Sequence, residues 1–594
     1  MFRNIVIILL LISSQIFAQV IPVNRCVDWK QTQYHFRFTV PEQVINLEDY
    51  GLTGDGSADN SDAFSQALDD AGNEPAILLF PPGDFLFNEP VVLKSNIVLK
   101  GSGSGNTTLL FDLQETNNHC IKISGTPATG YISVDGGYFF GSRKIITDSA
   151  FMFNAGDMVE IRENNGDWDS HPAWWATQVV GQMILLDSVK ADTLFLHSSL
   201  RIDYDSLLNP VIRKINPIKN SSVECLKIKR LDEPPSGGGY NILITYAHNC
   251  RITGIESDTS VASHVYISQS LNIRVTGSYF HHSFKYNGKY THGYGVTLSH
   301  RTSECVVENN VFKHLRHSMV IKTGVNGNIF GYNYSTDVYR SEYPHDKGGD
   351  ICIHGHYPYA NLFEGNIVEN IILDHVWGPA GPFNTFFRNR AYNWGIIFTY
   401  DDFPESSYQN LAGNEVTNFS PSHGQYSLSG SNHFEYGNNI LGEIIPAGTD
   451  SLPDKSYYLM DWPPFWNIYC YWPSVGLPNT LESGTIPAMA NYVEGSTFTV
   501  CNDELIDKIF INKDADLLLW PNPASNEVNV KIPENSGKTI INIYAINGIK
   551  VFSSNYKGNE GEIKIAIKGK LTAGLYLLTL NSGKINKAAK FYVY

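Results

Sequence analysis

Seven short segments between residues 249 and 416 repeat one pattern, and this repeat constrains the fold more than any other feature of the sequence. The segments are NCRITG from Asn249, NIRVTG from Asn272, ECVVEN from Glu304, NIFGYN from Asn328, NLFEGN from Asn361, NTFFRN from Asn384 and QNLAGN from Gln409. Most neighbouring segments start 23 to 25 residues apart, and two intervals are 32 and 33 residues. A period near 23 residues with apolar alternation predicts one coil of a parallel β-helix per repeat.

The last position of each segment indicates how neighbouring coils are joined. That position is occupied by Gly254, Gly277, Asn309, Asn333, Asn366, Asn389 and Asn414. An Asn side chain donates and accepts hydrogen bonds, so stacked Asn residues can connect each coil to the next. We therefore predict an internal amide ladder.

The N-terminus predicts export. Arg3, the apolar run Ile5 to Ile12 and the small residue Ala18 make residues 1–18 a secretory signal peptide, with no membrane span after its cleavage. The net charge of −16 argues against a nucleic acid or an anionic membrane as partner, although a cationic groove for an acidic polysaccharide is compatible with it. We expect a monomer.

The eight cysteines do not have the paired spacing of a zinc site. Cys250 and Cys305 occupy an apolar phase of the repeat, two coils apart, so we expect buried thiols there. Cys470 and Cys501 form a candidate disulfide pair.

The segment before the repeat resembles a known family. Asp59 or Asn60 is expected to cap an amphipathic helix that ends before Gly72, and the strand AILLF and a PPG turn follow. The run YGLTGDGSADNSDAFSQALDDAG, then ILLFPPGDFLF and LKSNIVLKGSGSG, resembles the opening of the pectate-lyase superfamily shared with rhamnogalacturonases and C5-epimerases. This resemblance implies an all-β fold, a right-handed parallel β-helix over residues 19–500 with an N-terminal capping helix. It does not select among lyases, hydrolases, epimerases and tailspikes.

The last 80 residues alternate like β-strands separated by NG and SG turns. WPNPAS at Trp520–Ser525, NGIKV at Asn547–Val551, GLYLL at Gly574–Leu578 and the terminal KFYVY resemble the C-terminal sorting domain of the type IX secretion system. The resemblance implies a small β-sandwich over residues 515–594, a Bacteroidetes-type envelope and the type IX machinery as partner. The expected location is secreted or on the outer surface, reached through the periplasm.

The strands that precede the repeat segments can be stacked to find candidate site residues. One outward column then reads Ser268, Ser299, Lys322, His354, Asp374 and Thr399, and the next reads Ser270, Arg301, Gly324, His356, Val376 and Asp401. Neighbours in such a column lie about 4.8 Å apart. We predict a catalytic cluster of Lys322, His354 and Asp374 with Arg301 and His356 beside it, against the alternative of a solvated face with a weak ion pair.

Two long intervals of the repeat contain insertions that should leave the same side and flank a groove. They are His281 to Gly295 and Tyr334 to Asp350, and both carry residues suited to an anionic sugar. The predicted substrate-binding residues are His292, Tyr294, His345, Lys347, Asp401 and Trp377. Trp168, Trp174 and Trp175 either stack on sugar or plug the helix, and the aromatic stretch from Pro446 to Val500 either docks on the helix or binds sugar.

Three functions fit this pattern. A lyase that cleaves an anionic, uronate-containing polysaccharide by β-elimination needs a cation for the carboxylate, a base for the C5 proton and an acid for the leaving oxygen. Arg301 or Lys322 fits the role of the cation, and His354, oriented by Asp374, fits the role of the base. His356 or a loop tyrosine fits the role of the acid. An inverting glycoside hydrolase would use Asp374 and Asp401. However, the NTD and GHG motifs of the polygalacturonase-like members of the superfamily are absent from the repeat. A non-catalytic glycan-binding surface protein is the third.

Metal binding stays undecided from the sequence. His354, His356 and Asp374 suit a transition metal, whereas Asp346, Asp350 and Asp374 suit Ca²⁺. The resemblance to pectate lyases favours Ca²⁺.

Overall fold

The computed structural model describes residues 19–501, apart from 73, 171, 401–403, 461, 464, 467–470 and 496–497, and most strands between 519 and 593. The chain divides into two compact units, Met1–Cys501 and Asn502–Tyr594. The predicted signal peptide, Cys470 and Asp401 lie outside the described residues.

The first unit is the parallel β-helix that the repeat predicts, with three rows of parallel strands. The first row, in order, is Gln43–Asn46, Ala76–Leu79, Ile97–Lys100, Ser222–Glu224, Arg251–Thr253, Arg274–Thr276, Val306–Glu308, Ile329–Gly331, Leu362–Glu364, Thr385–Phe387, Asn410–Ala412 and Phe434–Tyr436. The second row is Asp55–Asp59, Gly83–Phe87, Thr107–Phe111, Lys227–Arg230, Glu256–Ser260, Tyr279–Ser283, Val311–Lys313, Tyr334–Thr336, the first parts of Ile367–Asp374 and Arg390–Phe398, Glu415–Val416 and Asn438–Ile440, with Glu443–Ile445 added antiparallel.

The third row carries the candidate site. It consists of Val91–Val92, Ile121–Ser124, Tyr240–Thr245, Ser263–Ser268, Tyr294–Ser299, His317–Ile321, Ile351–His354, the second parts of Ile367–Asp374 and Arg390–Phe398, and Gln425–Ser427. A short parallel pair, Ile218–Lys219 with Ala247–His248, lies beside the rows.

The coils are held together by stacked apolar side chains. Inward residues of the third row pair as predicted, with Val265 opposite Val296 and Val296 opposite Met319. Phe330, Phe363 and Phe386 stack in successive coils of the first row at ring distances of 5.1 and 5.3 Å. Each coil therefore buries its apolar face only against its neighbours, which is how a solenoid forms a continuous core.

The amide ladder is present, with one correction and one addition. It runs through Asn310, Asn333, Asn366, Asn389, Asn414 and Asn438, each of which passes a hydrogen bond to the next coil. Asn309 is not a member, because the coil is shifted by one residue and Cys305 rather than Glu304 lies opposite Asn328. A second ladder connects Asn328, Asn361, Asn384 and Gln409 at the other end of the same strands.

The helices are few. The α-helices are Trp29–His35, Ser61–Ala71 and Pro487–Val493, and the 3₁₀ helices are Val23–Arg25, Leu47–Tyr50, Ala150–Met152 and Ser206–Leu208. The helix Ser61–Ala71 follows Asn60 and ends at Gly72, as the sequence predicts. It places Phe64 on Phe80 and Phe87, so its apolar face packs on side chains of the first coils.

Two segments cover the outside of the coils. The strands Thr126–Pro127, Ile132–Ser133, Lys144–Ile146, Met158–Arg162, Gly181–Lys190, Thr193–Leu196 and Val211–Asn216 form an antiparallel insertion between two coils. The segment after Pro446 docks on the flank of the helix, where Tyr457, Tyr458 and Trp466 share a core with Tyr332. Cys501 forms a disulfide with Cys225, which replaces the predicted pairing with Cys470.

The second unit consists of two antiparallel sheets around one apolar core. One sheet contains Leu519–Trp520, Glu527–Lys531 and Glu562–Ala566. The other contains Lys550–Tyr556, Thr539–Ala545, Gly574–Ser582 and Ile585–Val593.

Candidate functional site

Lys322, His354 and Asp374 lie on consecutive coils in the register that the sequence predicts. Ser268 is opposite Ser299, Ile321 is opposite Ile353, and His354 is opposite Asp374. The Lys322 backbone N–H continues this ladder by donating to the carbonyl of Leu298. The three polar side chains therefore form one outward column.

His354 and Asp374 form a tight pair. The distance from His354 Nδ1 to Asp374 Oδ2 is 2.6 Å, and both side chains are only partly exposed. A carboxylate accepts, so Nδ1 is the donor and Nε2 is the nitrogen left for other partners. The thiol of Cys352, two residues earlier on the same face, lies 3.8 Å from the same carboxylate oxygen. Asp374 thus fixes the tautomer and the orientation of the imidazole.

The pair opens into a cavity of about 390 Å³ that both insertions line. Gly288 belongs to the first insertion, and Arg340, Glu342 and Lys347 belong to the second. The two insertions also contact each other, because the Gly288 N–H donates to Glu342 Oε1 at 2.6 Å. The two insertions therefore flank one cavity, as the sequence predicts.

Three cations face this cavity, and sequence reasoning identified only one of them. Lys347 was predicted, whereas Arg316 and Arg340 were not named. Arg316 Nη1 donates to the carbonyls of Asn287 and Tyr290, and Arg340 Nε donates to the carbonyl of Pro344. Among the described residues, none of the three forms an ion pair within 4.0 Å. Arg316 directly precedes the strand His317–Ile321 of the third row. This position was the signal in the sequence that could have identified it as a candidate site residue.

Two further groups have shifted acid–base properties. Burial and the charge of nearby Arg316 lower the pKa of His317 well below its usual range, and its Nδ1 donates to the carbonyl of Gly349. His317 is therefore neutral at neutral pH. Burial lowers the pKa of Lys322 to about 8, and its Nζ lies 5.8 Å from the ring centres of Trp175 and Tyr266.

Arg301 and His356, which the sequence predicts beside the cluster, do not line the cavity. The antiparallel insertion, which contains the strand Met158–Arg162, covers this part of the face, and Arg301 Nε lies 2.6 Å from Glu160 Oε1. Burial raises the pKa of Glu160, but the charges of Arg301 and Arg213 outweigh it and lower that pKa to about 2. His356 is fully buried with its ring against Trp175, and burial lowers its pKa to about 4.

The predicted substrate-binding residues are dispersed. Tyr294 is buried beneath Arg316, whose guanidinium lies 5.4 Å from the ring, and His292 is buried beside Gly237. His345 is exposed but binds the carbonyl of Arg340. Trp377 is 38% exposed and has its ring against His354, where it meets Trp175.

The tryptophans of the insertion divide between the two predicted roles. Trp168 packs against Tyr357 and Trp175 against Trp377, as a plug over the face would, whereas Trp174 is 90% exposed.

Neither of the two sets of metal ligands predicted from the sequence is brought together in the structure. Asp350 is fully buried, accepts from Ser335 and Asn370, and does not suit Ca²⁺ together with Asp374. His356 does not meet His354 and Asp374. Within the described residues, the groups of three donors close enough for one ion are Cys352 with His354 and Asp374, and Asp258 with His281 and His282.

Two family models match parts of the chain. Residues 44–160 match the family model "Rhamnogalacturonase A/epimerase, pectate lyase-like". Residues 518–594 match the model "Secretion system C-terminal sorting domain". The chain carries a pectate-lyase-like domain and a secretion sorting domain. The sorting domain indicates export by the type IX system to the cell surface or the extracellular space. No helix among the described residues is long and apolar enough to span a bilayer.

The individual relatives are distant. A glucan 1,3-beta-glucosidase of Cochliobolus carbonum is 34% identical over 68 residues, which are 10% of this chain and 9% of that protein. The Pseudomonas phage LKA1 tailspike gp49 is 14% identical, with a TM-score of 0.41 over 66% of this chain and 81% of that one. The Azotobacter vinelandii mannuronan C-5 epimerase AlgE6 A-module is 14% identical, with a TM-score of 0.31. The match covers 66% of this chain and 98% of that one.

The Streptococcus pneumoniae surface adhesin PfbA is 15% identical to the chain, with a TM-score of 0.32 over 67% of this chain and 86% of that one.

Proposed function

We propose that this protein is a secreted lyase that cleaves an anionic, uronate-containing polysaccharide by β-elimination. The observation that carries the proposal is the His354–Asp374 pair, which opens into a cavity with three cations on its walls. A site of one oriented base and several cations suits a substrate with one carboxylate per sugar.

Arg316 and Arg340 take the role of neutralising the carboxylate, for which Arg301 was the candidate from sequence. A guanidinium can bind a carboxylate through two parallel hydrogen bonds, and this neutralises the group next to the C5 proton. Glu342 lines the same cavity, and it also accepts from the Gly288 N–H. Lys347 lies with its Nζ 4.6 Å from the ring centre of Trp394 and can approach a second sugar carboxylate.

His354 is the candidate base, and Lys322 is the candidate acid. Asp374 accepts from Nδ1 of His354, so Nε2 can take the C5 proton. A proton donor is efficient when its pKa is near the working pH, and the pKa of Lys322 is about 8. Lys322 and His354 are on neighbouring coils, which lie about 4.8 Å apart, although the Lys322 Nζ lies near the rings of Trp175 and Tyr266 and not on the cavity wall. His317 is a weaker base, since its pKa lies far below neutrality.

The alternatives predict different products. An inverting hydrolase needs two free carboxyl groups, whereas the carboxylates lining the cavity, Asp374 and Glu342, accept from His354 and from the Gly288 N–H. A binding protein would retain the polysaccharide intact.

The experiment is incubation of the secreted protein with a panel of pectate, alginate and ulvan. We expect absorbance from unsaturated uronate ends, and a loss of rate of about 10²- to 10⁴-fold in His354→Ala. His345→Ala is the matched control, because this exposed imidazole is on the second insertion and does not line the cavity. Reducing ends without unsaturated product would establish hydrolysis instead. Binding without product would leave the glycan-binding function.

A further inference from the structure

A second cluster of metal-binding residue types lies on the second row of strands, outside the candidate active site. Asp258, His281 and His282 each offer one ligand atom, and these atoms lie within 4.8 Å of one another. Asp258 and His281 are opposite each other on neighbouring strands. Asp258 is partly exposed, His281 is buried and His282 is exposed.

The two imidazoles meet because the backbone turns at His282. Adjacent residues of a strand normally point to opposite faces. His282 has a φ of 61°, in the left-handed region, and its Nδ1 lies 2.8 Å from Nδ1 of His281. Thr259, His314 and Asp337 have φ values of 54°, 52° and 60° at the same bend of neighbouring coils. The fold therefore enforces the bend and holds the two rings together.

His281 is held in one orientation from two sides. Its ring stacks on Tyr279 at 4.3 Å, and its Nε2 lies 3.2 Å from Glu256 Oε1. A carboxylate accepts, so Nε2 carries the proton and Nδ1 of the neutral ring presents a lone pair. A carboxylate that fixes the outer nitrogen is the usual support of a histidine that ligates a metal.

We propose that Nδ1 of His281, Nδ1 of His282 and the carboxylate of Asp258 bind a divalent transition-metal ion such as Zn²⁺. Two nitrogens bound to a tetrahedral ion with bonds of about 2.0–2.1 Å are about 3.3–3.4 Å apart, so the two Nδ1 atoms, which lie 2.8 Å apart, need to separate by only about half an ångström to bind one ion. Asp258 Oδ1 lies 3.7 Å from Nδ1 of His281, which a small side-chain rotation brings to ligand distance. Two imidazoles and a carboxylate suit zinc and its neighbours rather than Ca²⁺.

The remaining charges around the cluster are balanced. Lys227 and Lys229 pair with Asp258 through its other oxygen, Oδ2, at 3.1 and 3.3 Å. Lys227 also pairs with Glu256 at 2.7 Å. Oδ1 accepts a hydrogen bond from the Thr259 hydroxyl and keeps a second lone pair for the ion. The exposed side of His282 leaves coordination positions to water.

The test is equilibrium dialysis of the full chain against Zn²⁺ alone, with Co²⁺ absorption as a second readout. His282 is exposed, so His282→Ala leaves the core intact. We expect this variant to lose one bound ion per chain or to bind it at least tenfold more weakly. Asp258→Asn should weaken the same ion, and Glu256→Gln should weaken it about tenfold through the orientation of His281.

Two control variants make the outcome decisive. His345→Ala removes another exposed imidazole and should keep full binding. His354→Ala removes a ligand from the other group of three donors and should also keep this ion. Unchanged zinc stoichiometry and affinity in His282→Ala, or loss of the ion in His354→Ala alone, would overturn the proposal.

Discussion

Replacement of Asn366 by leucine tests whether the amide ladder holds the coils together. The Asn366 side chain is fully buried, and its Nδ2 donates to the carbonyl of Phe330 and to Asn389 Oδ1, each at 2.8 Å. Its Oδ1 accepts from the backbone N–H of Asn333 and from Asn333 Nδ2. Leucine has the same number and branching of side-chain heavy atoms and is somewhat larger, so the variant removes these bonds without opening a cavity.

The magnitude follows from the groups that lose their partners. In Asn366→Leu, the backbone N–H of Asn333 and one Nδ2 hydrogen of Asn333 lose their acceptor, and the Phe330 carbonyl loses a donor, whereas Asn333 Nδ2 keeps its bond to the carbonyl of Val307. A buried group left without its partner costs about 1–3 kcal/mol, so for these three groups we expect a loss of about 3–9 kcal/mol in the free energy of unfolding.

Urea denaturation of the full chain, followed by circular dichroism, measures this loss. Hydrogen exchange at residues 328–333 shows whether the neighbouring coil opens first, as expected for a solenoid in which stability is the sum of neighbour contacts. The control is Asn216→Leu on an exposed strand position of the insertion, where we expect a change within about 0.5 kcal/mol. A loss below about 1 kcal/mol in Asn366→Leu would refute the idea that the ladder stabilises the stack.

Four further predictions follow from buried charges, the disulfide and the cavity. Arg301→Met should cost up to about 3–5 kcal/mol of stability because it removes one of the two arginines, Arg301 and Arg213, that pair with the buried Glu160, and a change in KM with unaltered unfolding would contradict its structural role. Burial raises the pKa of Glu364 from 4.5 to about 7, so the stability due to the protonated form is present below pH 4.5 and falls by about 3 kcal/mol as pH rises to about 7. Urea midpoints across this range should lose that dependence in Glu364→Gln. Arg316→Ala should raise KM for an acidic polysaccharide about tenfold or more with unchanged thermal unfolding, and Arg316→Lys should recover only part of it. Cys225→Ser should cost about 2–5 kcal/mol in thermal melts, and wild type in reductant should match it.

The β-helix, the two insertions and the column of Lys322, His354 and Asp374 could all be predicted from the sequence. Coils of a solenoid contact only their sequence neighbours, so a local period already gives which strands are adjacent and which side chains point outward. The confirmed register of Val265, Val296 and Met319 follows from that property. The same reasoning fails by one residue at Asn309, because the sequence has two consecutive asparagines there and Asn310, 23 residues before Asn333, is the one that belongs to the ladder.

Which polar residues are open to a substrate depends on the folded chain and could not be predicted from the repeat. Nothing in the local sequence distinguishes Arg301 from Arg316 as a residue open to substrate. Arg301 pairs with Glu160, which is 141 residues away, whereas Arg316 faces the cavity. The pairing of Cys225 with Cys501 spans 276 residues and has no local signal. Long insertions and docked segments cover a face through contacts distant in sequence, and repeat spacing carries no information about what covers each coil.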